Sequence, residues 1–146
     1  MAIDMTTGGT VGFPSRAGLQ GVGTFSVVLD FAAALTAKGS ALAAADIIET
    51  ISLPAGTQVI GGGAEVLTVT DAGATTLDIG VGGADTIVDG GDSTATGYLA
   101  VGTNGKLQTE GLRIATADTI DVTIKTLTGT LTSGKVRVYV VLADIS

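Results

Sequence analysis

At 146 residues, with 45% hydrophobic and 14% charged side chains, the chain has the size of one domain and enough apolar material for a single core. It contains no His, Cys or Trp, which removes the usual neutral-pH acid–base group, thiol nucleophiles, disulfides and the main ligands of zinc and iron sites. Its net charge is −7, and its Lys and Arg residues are scattered singly from Arg16 to Arg137, so no basic stripe stands ready for DNA or RNA.

Residues 1–23 are Gly-rich and carry no sustained periodicity, which predicts an extended N-terminal arm. Val11, Phe13, Leu19 and Val22 give it apolar anchors that a purely solvating tail would not need. They are the candidate contacts to a neighbouring subunit, although a disordered tail also fits the composition. No basic region leads into an apolar run, so no signal peptide is expected. No stretch reaches the ~18 apolar residues of a membrane helix either.

From residue 24 the pattern turns to period two, placing Phe25, Val27, Leu29 and Phe31 on one face of a strand. Residues 32–45 are Ala-rich but interrupted by Gly39 and Ser40, which predicts a loop with at most a turn or two of helix. Residues 46–53 read as a strand with Ile47, Ile51 and Leu53 on one side and Glu49 intruding on that face. Pro54-Ala-Gly56-Thr is a turn, since Pro presets its first corner and Gly tolerates positive φ.

The next apolar run, 58–70, is broken by Gly61, Gly62 and Gly63, the signature of a bulge, a bend or a close approach. After a turn at Asp71, Leu77, Ile79 and Val81 share one face of a further strand. Residues 82–97 read as a long polar loop and Tyr98 opens a short strand. Two clean alternations close the chain. Ile120, Val122 and Ile124 point inward with Asp121, Thr123 and Lys125 outward; then Val136, Val138, Val140 and Leu142 point inward. About eight short strands without a strong helix predict an all-β fold, an antiparallel β-sandwich or jelly roll over 24–146. A mean hydropathy of +0.56 is high for a soluble monomer and points to surface buried against neighbours.

The segment 82–92 invites one sharp hypothesis. Asp85, Asp89 and Asp92 lie beside paired glycines, an echo of the Gly–Asp repeats whose carbonyls and carboxylates bind calcium. There is no second copy to stack on, so a plain Gly/Asp turn is the competing reading and no metal or cofactor is expected. Asp118 and Asp121 fall on opposite faces of a strand, with Asp121 on the solvated one. Glu49 and Glu65 lie in apolar strands and call for a partner, with Arg113 or Arg137 available. No Gly-rich stretch ends in the Lys-Ser/Thr of a phosphate loop. No catalytic constellation emerges, and the chain reads as a non-enzyme.

The order of elements carries a resemblance. The stretch from Leu42-Ala-Ala-Ala-Asp-Ile-Ile-Glu into Pro54-Ala-Gly-Thr57 is followed by Thr76-Leu-Asp-Ile-Gly80, then a Gly/Asp loop closing on Gly97-Tyr-Leu99. Ala117-Asp-Thr-Ile-Asp-Val-Thr-Ile124 and Gly134-Lys-Val-Arg-Val-Tyr-Val-Val141 come last. Over roughly residues 24–146 this resembles small tailed-phage virion proteins of the capsid decoration, or head cement, kind. The resemblance implies a β-sandwich or jelly roll made in the host cytoplasm and carried on the outer surface of the capsid. It also implies the major capsid protein and further copies of the chain as partners, a trimer suiting a threefold junction, with neither nucleic acid nor membrane bound. A tail, neck, head-fibre or shell protein is the neighbouring alternative. A bacterial surface or secreted β module binding calcium is the alternative from another class.

Overall fold

The period-two segments pair as strands because each presents one branched apolar face that only a second layer can cover. A computed structural model describes residues 2–6, 22–99 and 111–144. Among these the strands are β1 (Ile3–Asp4), β2 (Val22–Asp30), β3 (Ile47–Leu53), β4 (Thr57–Thr68), β5 (Ala74–Val81), β6 (Val88–Asp92), β7 (Gly97–Leu99), β8 (Leu112–Arg113), β9 (Asp118–Thr128) and β10 (Lys135–Asp144). One sheet runs β1-β3-β9-β5-β6; the other runs β2-β10-β4-β7, with β8 also on β4. All pairs are antiparallel except β1 with β3. The fold is mostly β and sandwich-like, as the composition led us to expect.

The core lies between the two sheets. Val136, Val138, Val140 and Leu142 of β10 are fully buried, and so are Ile120, Val122 and Ile124 of β9, as the inward faces of both C-terminal alternations predict. Leu77 and Ile79 of β5 join them, with Val81 only half-buried at the strand end. Phe31, the largest fully buried side chain, does not continue the strand face. It opens a helix.

That helix, α1 (Phe31–Lys38), is the turn or two of helix allowed over 32–45, and residues 39–46 remain non-helical. Asp30 caps it by accepting from the Ala32 N–H, and Gly39, at φ 74°, returns its N–H to the Leu35 carbonyl. Gly39, read from sequence as an interruption, is the stop signal of a two-turn helix.

A bulge corrects the face expected for β3. Glu49 pairs with Asp121 but Ile51 pairs with Ile120, so Thr50 is the extra residue, its hydroxyl donating to the Ile120 carbonyl at 2.7 Å. The phase change buries Ile48, Ile51 and Leu53 and turns Ile47 and Glu49 to the outer side. A second bulge, at Ile60 of β4, lets Val141 face Gly61 and Leu142 face Val59. The glycine run continues as strand, and the expected close approach is the Tyr139 ring, which occupies the space of a Gly63 Cβ. Residues 82–97 are not simply a polar loop. Ile87 and Val88 are fully buried and β6 completes the first sheet.

The arm expected over 1–23 meets the sheets at both ends. Ile3, 7% exposed, lies in β1 against Ile48, and Val22 and Gly23 begin β2. Residues 7–21 lie outside the described residues.

Candidate functional site

The outer side of the second sheet carries the exposed apolar side chains Val22, Val28 and Tyr98. Residues 137, 139, 141 and 143 of β10 must face outward because their neighbours fill the core. In register with Arg137 stand Val28 on β2 and Glu65 on β4, and Tyr98 of β7 lies beside Glu65. Arg137 and Glu65 form an ion pair at 3.0 Å, one of the pairings the sequence allowed. Beside that neutralised pair Tyr98 is 75% exposed and Val28 is also exposed, while Val22 is exposed at the far end of β2, opposite Ala143.

Charge divides the molecule. The strands of the second sheet carry Asp30, Glu65 and Asp144 against Arg113, Lys135 and Arg137, which balance. Those of the first sheet carry Asp4, Glu49, Asp78, Asp89, Asp92, Asp118 and Asp121 against Lys125 alone. One side of the sandwich is therefore close to neutral and the other strongly acidic.

Asp121, expected on a solvated face, is only 4% exposed. The cause is a roof. At Gly80 a Cβ would stand 2.5 Å from the Ala84 carbonyl and from the Thr86 N–H, so glycine alone lets residues 82–86 fold back over the sheet. The Thr86 hydroxyl accepts from the Val81 N–H at 3.2 Å, pinning the fold-back. Beneath it Asp121 accepts from the Thr119 hydroxyl at 2.6 Å and from the Gly83 N–H. Burial raises its pKa to about 6, the two hydrogen bonds oppose the shift, and the charges of Glu49 and Asp118 add to it. Asp118 and Asp121 thus do sense each other, because Asp118 reaches the same turn, 3.0 Å from where a Gly82 Cβ would stand. An open cleft of about 440 Å³ lies alongside, lined by Glu49, Ser52, Pro54, Asp118 and Thr119 among others.

The candidate calcium ligands have other occupations. Asp89 pairs with Lys125, holding its ammonium above the ordinary range, and Asp78 lies 3.5 Å from the same ammonium. Asp92 accepts from the Thr94 hydroxyl and N–H, which lowers its pKa. Among the described residues no three acidic side chains converge as metal ligands. Nor is any helix long and apolar enough to cross a membrane. Of the arm anchors, Val11, Phe13 and Leu19 lie outside the described residues, while Val22 is 60% exposed at the edge of β2.

The buried Asp121 escaped the sequence reading because strand alternation assumes open solvent on the polar face. The signal was the spacing of Gly80, Gly82 and Gly83, which marks a chain folding back on its own strand.

No protein-family model matches the chain, and no curated protein matches it. Among solved structures, a chain of the capsid of Ralstonia phage GP4 is 18% identical and superposes with a TM-score of 0.60, over 98% of both chains. A chain of the cyanophage Pam1 capsid asymmetric unit is also 18% identical, with a TM-score of 0.56, over 92% of this chain and 93% of that one. At this identity the likeness is one of fold, and it embraces the whole sandwich.

Proposed function

We propose that this chain is a structural protein of a tailed-phage virion, carried on the outside of the capsid as a decoration protein that stabilises the head. The observation that carries the proposal is the near-complete fold likeness to chains from two phage capsids. The order of the strands supports a jelly-roll winding: leaving aside β1 and β8, the chain crosses between sheets at every connection except β5 to β6.

The chemistry of the surface agrees with this role. A lattice-binding protein needs rigidity and recognition rather than a reaction, and the buried groups of this chain serve packing. A near-neutral, partly apolar side can approach another protein without desolvating many charges, whereas the acidic side repels DNA and other virions. In this reading the chain is a non-enzyme whose partner is the major capsid protein. Val11, Phe13, Leu19 and Val22 supply neighbour contacts on the lattice.

The test is co-sedimentation of the purified protein with phage heads that lack it, followed by heating of the decorated heads. We expect saturable binding, a higher temperature of DNA release, and weaker binding by Phe13→Asp with an unchanged circular dichroism spectrum. Heads that neither bind the protein nor gain heat resistance would refute the decoration role.

A further inference from the structure

Three of the four sheet edges are managed against unwanted pairing. β7 has three residues, and β6 is short, irregular at its glycines and charged at Asp89 and Asp92. The edge of β3 is covered by β1 at Ile48 and Glu49 and broken by its bulge at Thr50. β2 differs. It runs nine residues, has no proline or lysine, and carries one charge, Asp30, at its last position. Its partner is β10, and among the described residues no strand lies along its other edge. Natural sheets rarely leave so long and flat an edge without a charge, a proline or a cover.

We infer that the outer edge of β2 pairs antiparallel with β2 of a second copy, about a twofold axis near Ser26. The strand is self-complementary in that arrangement. Phe25 of one copy faces Val27 of the other on the core side, and both are half-buried in the single chain despite pointing inward. On the outer side Thr24 faces Val28, an exposed pair of β-branched residues. Asp30 faces Val22 of the other copy, so the two carboxylates lie at opposite ends of the new ladder. Asp30 also keeps Lys135 of its own chain 3.9 Å away.

Charge selects the same side. Copies meeting through their first sheets would set acidic strands against acidic strands, whereas the second sheet is balanced. The paired sheets would run continuously across the axis. A twofold strand pair closes at two copies, not at the trimer that the sequence resemblance implied. The inference stands on the fold alone and goes beyond the capsid reading.

The experiment is native mass spectrometry of the full-length protein beside Ser26→Lys and Ser26→Cys variants. Ser26 is exposed and outward, so lysine there leaves the sandwich intact while setting two ammonium groups against each other across the axis. Circular dichroism checks the fold. We expect a dimer for the parent and a folded monomer for S26K. The cysteine-free background allows one further readout: S26C should form a disulfide-linked dimer on oxidation under native conditions and not in urea. A monomeric or trimeric parent would overturn the inference, as would an oligomer that persists in S26K. A monomer that dimerises only after removal of residues 2–21 would show that the chain's own N-terminal segment holds the edge, which also overturns it. Capsid binding by a stable monomer would refute the dimer and leave the decoration role standing.

Discussion

Replacing Asp121 by asparagine should stabilise this protein at mildly alkaline pH. The carboxyl is 4% exposed and its pKa is raised from 3.8 to about 6, first by burial. A carboxyl whose pKa is higher in the fold than in the unfolded chain is favoured in its protonated form. Its contribution to stability is complete below pH 3.8 and is lost as pH rises through about 6. At roughly 1.4 kcal/mol per unit, a shift of this size sets a ceiling near 3 kcal/mol on the penalty at pH 8. The Thr119 hydroxyl and the Gly83 N–H stabilise the ionised form, and the asparagine oxygen can accept both. We therefore expect Asp121→Asn to gain about 1–2 kcal/mol at pH 8, the size of a removed buried penalty less imperfect replacement of these bonds. For a domain of this length that is a rise of roughly 3–6 °C in Tm. Urea and thermal unfolding at pH 8 and pH 4.5 measure it. The gain should be full at pH 8, smaller at pH 4.5, where Asp121 is protonated in the fold but still largely ionised in the unfolded chain, and absent well below pH 3.8. A variant less stable than the parent at pH 8, or a difference that does not change with pH, would refute the buried-carboxylate account.

Gly80→Ala tests the roof itself. The new methyl meets backbone atoms of Ala84 and Thr86 rather than a movable side-chain tip, so the fold-back must lift, at a cost of about 1–3 kcal/mol by urea unfolding. The lifted roof should also return the Asp121 titration, followed by carboxyl NMR, towards 3.8; an unchanged value near 6 would mean that something other than residues 82–86 buries it. Asp71 provides the opposite sign. Its carboxylate accepts from the Thr132 hydroxyl and from the N–H groups of Thr132 and Ser133, which hold its pKa well below the ordinary range. The stability it contributes is present above the unfolded value of 3.8 and lost as pH falls through the lowered one. Asp71→Ala should therefore unfold at lower urea than the parent at pH 7, with the difference shrinking towards pH 2; a constant difference across that range would place the effect in packing.

How much of this was legible in the sequence follows from what each element answers to. β10 was readable residue by residue because it is a central strand with one side on the core and period two unbroken, whereas in β9 only the inward Ile120, Val122 and Ile124 were readable, since Asp121 is buried under the roof and the register shifts at Lys125. β3 misled because a single bulge at Thr50 inverts every side chain beyond it, and nothing in Ile47-Ile-Glu-Thr-Ile marks the position of an extra residue. Helix α1 was half visible: Gly39 was noticed, but its meaning as a terminus depends on the cap Asp30 just before the helix, in a stretch that otherwise reads as strand. The strand inside 82–97 was hidden by its own brevity, since Ile87 and Val88 are the only adjacent large apolar residues between Val81 and Gly97. The likeness to capsid chains could be stated from the order of the turns because turn residues report backbone geometry directly, through Pro at a corner and Gly at positive φ.

The interface was the least legible part, for a physical reason. A sequence records which side chains are apolar, but a strand's value as a docking edge depends on which strands lie beside it. Phe25 and Val27 read as core, and in the single chain they are half-buried. Their intermediate burial becomes informative only once β2 is known to be the outermost strand of its sheet and the other edges are known to be short, charged or covered. The same holds for charge. A net −7 suggests general repulsion, yet the folded chain segregates it, leaving the second sheet balanced. That segregation gives a strongly acidic protein one side on which close approach to another protein costs little electrostatically, and the open edge of β2 lies on that side.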